Sequence, residues 1–191
     1  RRMGRGDLYR RGPRLAAAMR EDGVVAGDCV AAYMPNMPET VITMLAAASI
    51  GAVFTSASPD FGVQGVLDRF GQVAPKLLFT VDGYYYNGKT IDLLDKVAAI
   101  AAQLPSLKHT IVARYVRGEG HDLSQIRNGR MLRSYVDEHR IVVDIDFAQL
   151  PFDHPLYIMY SSGTTGVPKC IVHSAGGVLL QHLKEHRLHC D

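Results

Sequence analysis

The chain has 191 residues, 47% hydrophobic and 21% charged, and its 21 Lys+Arg against 19 Asp+Glu leave a formal net charge of +2. This size and mixture suit one folded domain and exclude collagen, coiled coil and a disordered tail. So even a charge balance also argues against nucleic acid as a partner, although six arginines crowd the first fourteen residues and could form a basic arm or a solvated helix face.

In chain order, Leu8, Leu15, Ala16 and Met19 have helical spacing that ends at Gly23, with Gly12-Pro13 expected to interrupt the helix so that its regular part begins at Pro13. Residues 29–34 read as a buried strand, and Pro38 suits the first position of a helix running to about residue 48, closed by Gly51. A strand at 52–55, a loop at 58–62 and a helix through Val63, Val66, Leu67 and Phe70 repeat the pattern. Residues 76–81 make the next strand, Ile91 to Leu104 a helical stripe, and 109–113 a further strand. The stretch 117–152 is the least legible, with a weak helix near 131–138 and a strand near 141–145. Strands at 156–160 and 170–173 flank a loop at 161–169, and a helix covers 178–190.

Strands separated by helices of this length require crossover connections. The expected fold is therefore α/β, a layered, mostly parallel sheet with helices on both faces and no internal boundary in 1–191. The apolar stretch 41–54 is broken by Thr43 and Ser49 and is shorter than the ~20 residues of a membrane span, so no membrane association is expected. Cys29, Cys170 and Cys190 have no metal or framework spacing, and no signal-peptide core follows the basic start. Both observations point to a cytoplasmic protein.

The segment Tyr160-Ser161-Ser162-Gly163-Thr164-Thr165-Gly166-Val167-Pro168-Lys169 carries the chemistry. After a strand it gathers four aliphatic hydroxyls, two glycines and an ammonium. Glycines let backbone N–H groups approach an anion, hydroxyls donate hydrogen bonds and the lysine adds positive charge, a combination suited to phosphate. The NTPase loop G-x-x-x-x-G-K-S/T does not fit, because Pro168 stands where its second glycine belongs and Cys170 where its hydroxyl belongs. A strand, not a helix, is also expected to follow.

The run YSSGTTGVPK resembles the phosphate-binding signature of the acyl-adenylate-forming (AMP-binding) enzymes. SPDFG at 58–62, VLDRF at 66–70, YNGK at 86–89 and HSAGG…QHLKEH at 173–186 are similar to the acetoacetyl-CoA synthetase branch of that family. The resemblance implies part of the large N-terminal adenylation domain, and an acid–thiol ligase that couples acetoacetate to CoA through an acetoacetyl adenylate, with ATP, Mg²⁺ and CoA as companions. It implies that Ser161, Ser162, Gly163, Thr164, Thr165, Gly166 and Lys169 hold the ATP phosphates, with Thr165 and Lys169 nearest the catalysis. It also places Lys89 where a basic residue sits near the CoA 3′-phosphate, although an exposed lysine beside Asn87-Gly88 better suits plain turn chemistry. The family's adenine, ribose and acyl pockets and its mobile C-terminal domain fall outside these residues, so the 191-residue chain by itself is expected not to turn over.

Two other readings stand beside this one. His182-Leu183-Lys184-Glu185-His186 spells the H-x-x-E-H of inverted zinc peptidases, with His189 and Cys190 close by. A truncated paralogue that only binds a nucleotide would share the loop without the chemistry. His173-Ser174 lacks the G-x-S-x-G frame, so Ser174 is expected to cap a helix.

Overall fold

A computed structural model describes residues 3–118, 122–137, 144–161 and 166–190. In chain order the elements are α1 (Arg5–Glu21), β1 (Cys29–Tyr33), α2 (Pro38–Ser49), β2 (Val53–Ala57), α3 (Val63–Phe70), β3 (Leu77–Val81), β4 (Gly83–Tyr86), β5 (Lys89–Asp92), α4 (Leu94–Ala102), β6 (His109–Ala113), β7 (Gly129–Met131), α5 (Leu132–Asp137), β8 (Pro155–Tyr160), β9 (Cys170–Ser174) and α6 (Ala175–Leu188). Seven strands form one sheet in the order β7-β6-β3-β1-β2-β8-β9, parallel except for the β8–β9 pair, while β4 and β5 form a separate hairpin.

The central strands β1 and β3 are buried along their whole length, as an apolar run covered on both faces must be. Successive side chains alternate between faces. On one face Phe79 and His109 meet the Tyr135 ring of α5, which contacts α1, which in turn packs on α2. On the other face Thr55 and Tyr160 lie beneath α3, which packs against α4. Helices therefore flank both faces of a mostly parallel sheet, as the sequence predicts.

Local chemistry explains most of the boundaries. Pro38 opens α2 where its missing N–H is harmless. Gly23, at φ 78°, ends α1 in a left-handed turn in which its N–H bonds the Arg20 carbonyl (2.8 Å) and the Val24 N–H bonds that of Met19 (2.9 Å). Ser174 does cap α6, accepting from the Gly177 N–H at 3.2 Å.

Two expectations require correction, and two further segments stand apart from the sequence reading. Pro13 lies inside a continuous α1, where the buried Leu15, Ala16, Ala18 and Met19 face keeps the helix whole despite one lost hydrogen bond. Ile91 belongs to β5, so α4 starts only at Leu94. The short strand β7 forms beside β6 with no sequence signal of its own. The strand expected near 141–145 falls mostly outside the described residues, and Asp144 and Ile145 are not in a strand. Among the described residues, no helix is long and apolar enough to cross a membrane.

Burial raises the Cys29 thiol and the Tyr33 and Tyr160 hydroxyls to about 12 and pushes Tyr135 far above its ordinary value. The unfolded chain releases such protons from about pH 9 upward, so the folded chain holds more of them there. Stability is therefore complete below about pH 9 and declines as pH rises toward the folded-state values. Urea midpoints should hold from about pH 7 to pH 9 and then fall steadily to about pH 11. A flat profile would contradict the burial of these groups.

Candidate active site

Parallel strands end on a common edge of the sheet, and ligands of open α/β sheets bind beyond that carboxyl edge. Adjacent strands β2 and β8 deliver two loops there. Segment 58–62 follows β2, and the Ser161–Lys169 segment follows β8. The hairpin β4–β5 follows β3, on the far side of β1.

The loop after β8 is closed at its base by the Ser161 N–H donating to the Lys169 carbonyl, 3.1 Å. Gly166 has φ 96°, a conformation that a side chain would strain. Lys169 is exposed and makes no ion pair among the described residues, which leaves its ammonium available to an anion. The loop joins antiparallel strands rather than leading from strand to helix, so it is not an NTPase loop. Ser162, Gly163, Thr164 and Thr165 lie outside the described residues.

The neighbouring loop is pinned from below. The buried Tyr33 hydroxyl lies 2.6 Å from the Phe61 carbonyl and 3.0 Å from that of Pro59. The Ser58 hydroxyl donates to the Asp60 carboxylate at 3.0 Å, and the Tyr84 hydroxyl lies close to that carboxylate. Tyr33 looked like an ordinary core residue in the sequence, because a hydroxyl that reaches another loop leaves no local pattern. At the base of the loop after β8, Tyr160 Oη and Thr55 Oγ1 are 3.0 Å apart, and the Thr55 hydroxyl donates to the Ile158 carbonyl at 2.9 Å.

A family model described as "AMP-binding enzyme" matches residues 1–189. The chain belongs to the AMP-binding enzyme family. It is 55% identical over 177 residues to an acetoacetyl-coenzyme A synthetase of Rhizobium meliloti, which covers 93% of this chain and 27% of that protein. A malonamoyl-CoA synthetase of Penicillium aethiopicum is 43% identical over 189 residues, covering 97% of this chain and 26% of that one. The solved structure of an acetoacetyl-CoA synthetase from Streptomyces lividans superposes with a TM-score of 0.88 at 45% identity, covering 97% of this chain and 28% of that one. The chain thus spans about a quarter of the length of the relatives it matches.

Within this AMP-binding enzyme, Lys89 is the first residue of β5 rather than part of a loop. Asn87 (φ 47°) and Gly88 (φ 74°) make the hairpin turn, and Lys89 pairs with Tyr86 across it. Its side chain is exposed at the sheet's carboxyl side and makes no ion pair among the described residues. Sequence reasoning missed this hairpin although Asn-Gly is a strong signal for one. The His182/His186 pair lies on α6, but the Glu185 carboxylate between them is held by Gln181 (2.8 Å) and approached by Lys184 (3.6 Å). Among the described residues no group of three His, Cys, Asp or Glu side chains assembles to hold a metal.

Proposed function

We propose that this chain is part of the adenylation domain of a cytoplasmic acid–thiol ligase that converts acetoacetate, ATP and CoA into acetoacetyl-CoA, AMP and pyrophosphate. The observation that carries the reading is the anion-suited loop closed by Ser161 and Lys169, standing beside the pinned 58–62 loop at the carboxyl edge of the sheet. Similarity to acetoacetyl-CoA synthetases at 45–55% identity supports the choice of acid. The malonamoyl-CoA synthetase at 43% shows that this segment also serves a different acyl group.

In the first step a carboxylate oxygen of acetoacetate attacks the α-phosphorus of ATP, and the bond to the β-phosphate oxygen breaks to release pyrophosphate. In the second, the CoA sulfur attacks the acyl carbon, AMP departs and the thiol proton passes to solvent. Neither step needs a protein nucleophile; binding in register and neutralising phosphate charge supply the catalysis.

Ser161, Ser162, Gly163, Thr164, Thr165 and Gly166 would hold the phosphates through hydroxyls and backbone N–H groups, and Lys169 would face the charge developing on pyrophosphate. The 160–169 segment contains no carboxylate. This donor set suits Mg²⁺ arriving on the phosphates of ATP rather than a metal held by the loop. Lys89, on its exposed hairpin, would meet the 3′-phosphate of CoA. The unpaired cysteines agree with a reducing compartment.

Crystals soaked in MgATP test the reading. Density for the triphosphate against Ser161, Gly166 and Lys169 is expected, and a triphosphate docked elsewhere on the chain would overturn it. The purified 191-residue chain should show no acetoacetate-dependent ATP–pyrophosphate exchange. Detectable exchange would mean that these residues carry a complete adenylation site.

A further inference from the structure

Helix α3 and the turn that follows it meet the two ends of the phosphate loop. Val66 and Phe70 are fully buried and, with the partly buried Val63 and Leu67, seat the helix on the core. The Arg69 guanidinium lies 4.1 Å over the Phe61 ring and 5.8 Å from the centre of the Tyr160 ring. Its Nη1 donates to the Gly65 carbonyl at 2.6 Å, which holds the fork along its own helix. Tyr160 is the last residue of β8 and therefore the entry to the loop.

Just past the helix, Gln72 Nε2 lies 2.8 Å from the Pro168 carbonyl and 2.6 Å from the Asp68 carbonyl, and donates to both. Pro168 stands at the exit of the loop. Among the described residues Arg69 makes no ion pair.

We infer that Arg69 and Gln72 are positioning residues that clamp the phosphate loop at entry and exit and, through Phe61, lock it to the neighbouring 58–62 loop. The inference rests on the phosphate reading of the loop. Bracing both ends of an anion-binding loop holds its entry and exit in place before the ligand arrives, which lowers the ordering cost of binding and strengthens it. Cation–π stacking fixes the entry through a planar guanidinium, and an amide-to-carbonyl hydrogen bond fixes the exit. Tyr33 already pins the Phe61 carbonyl, so both loops share one frame.

The test uses the ¹⁵N-labelled 191-residue chain, titrated with sodium tripolyphosphate and followed through the amide resonances of Ser161, Gly166 and Lys169. The variants are Arg69→Leu, Gln72→Glu, which has the same shape and no donor, and Gln72→Lys, which regains a donor at similar reach. Arg69→Leu and Gln72→Glu should shift these amides before ligand is added. Each should raise the dissociation constant about fivefold while Tm stays within about 2 °C of the parent, and Gln72→Lys should restore both readouts.

Unmoved loop amides, an unchanged dissociation constant, or Gln72→Lys as impaired as Gln72→Glu would overturn the clamp. A fall in Tm in step with the lost binding would make the role merely structural and overturn it too. Gln72 is exposed, so its variants decide the matter even where Arg69→Leu does not fold. Should the parent chain bind no tripolyphosphate, the phosphate reading falls, while the amide shifts and their rescue by Gln72→Lys still decide whether the clamp exists.

Discussion

Asp82→Ala is expected to destabilise the chain by about 3–5 kcal/mol, because it removes a buried charge that several backbone amides depend on. Asp82 is completely buried at the end of β3, and its Oδ1 accepts from the N–H groups of Tyr115 (2.8 Å) and Val116 (3.0 Å) while Oδ2 accepts from that of Arg117 (3.0 Å). Its carbonyl accepts from the Leu93 N–H, 3.1 Å, where the β4–β5 hairpin returns into α4. One side chain thus gathers the exit of β3, the exit of β6 and the base of the hairpin that carries Lys89. Arg117 closes the same group through an ion pair with Asp92.

Asp82→Asn keeps the shape but turns an NH₂ toward an N–H donor, so it should lose about half as much. Urea denaturation with an unchanged m-value measures both effects, and a loss below about 1 kcal/mol for alanine would show that solvent satisfies these amides. Gly83, the next residue, belongs to the same joint. A Cβ there would fall 2.5 Å from the Ile91 carbonyl oxygen and 2.6 Å from Val116 Cγ2, so the hairpin base tolerates only glycine without backbone movement.

What the sequence disclosed of this fold was whatever a local rule encodes. Continuous apolar runs and helical stripes gave β1, α2, α3, β3 and β6 nearly to the residue, because each is an apolar or periodic segment bounded by Pro38, Gly23, Gly51 or a polar turn. The 160–169 segment could be singled out for the same reason, its anion-suited groups being contiguous. Asp82 and Tyr33 were not, since their partners lie more than twenty residues away and nothing in a strand's pattern marks which polar atom it will hold. Arg69 fell inside an expected helix and the VLDRF run, and Gln72 was not singled out; their contacts arise where α3 and the turn after it meet loops from β2 and β8, a relation set by strand order. Strand β7 exists through its pairing with β6, with no propensity of its own to announce it. The Asn87-Gly88 turn was different, for its local signal was present and simply outweighed by the helical reading begun at Ile91.

Lys169→Ala combined with Thr165→Val should lower acetoacetate-dependent pyrophosphate exchange by about a hundredfold or more in the full-length ligase proposed above, in line with the loss of one well-placed donor at a charge-developing oxygen. As the bond to the α-phosphorus breaks, negative charge moves onto the departing pyrophosphate. An ammonium and a hydroxyl placed there stabilise the transition state more than bound ATP. The loss should therefore fall mainly on kcat, with the KM for acetoacetate nearly unchanged. Lys169→Arg keeps the charge but spreads it over a planar fork, so it should recover only part of the rate. If ATP binding weakened while kcat held, the loop would only anchor the nucleotide. If exchange were unaffected, the exposed Lys169 ammonium and the hairpin that presents it would have no part in the chemistry, and the polyphosphate would have to be sought at another loop of the same edge.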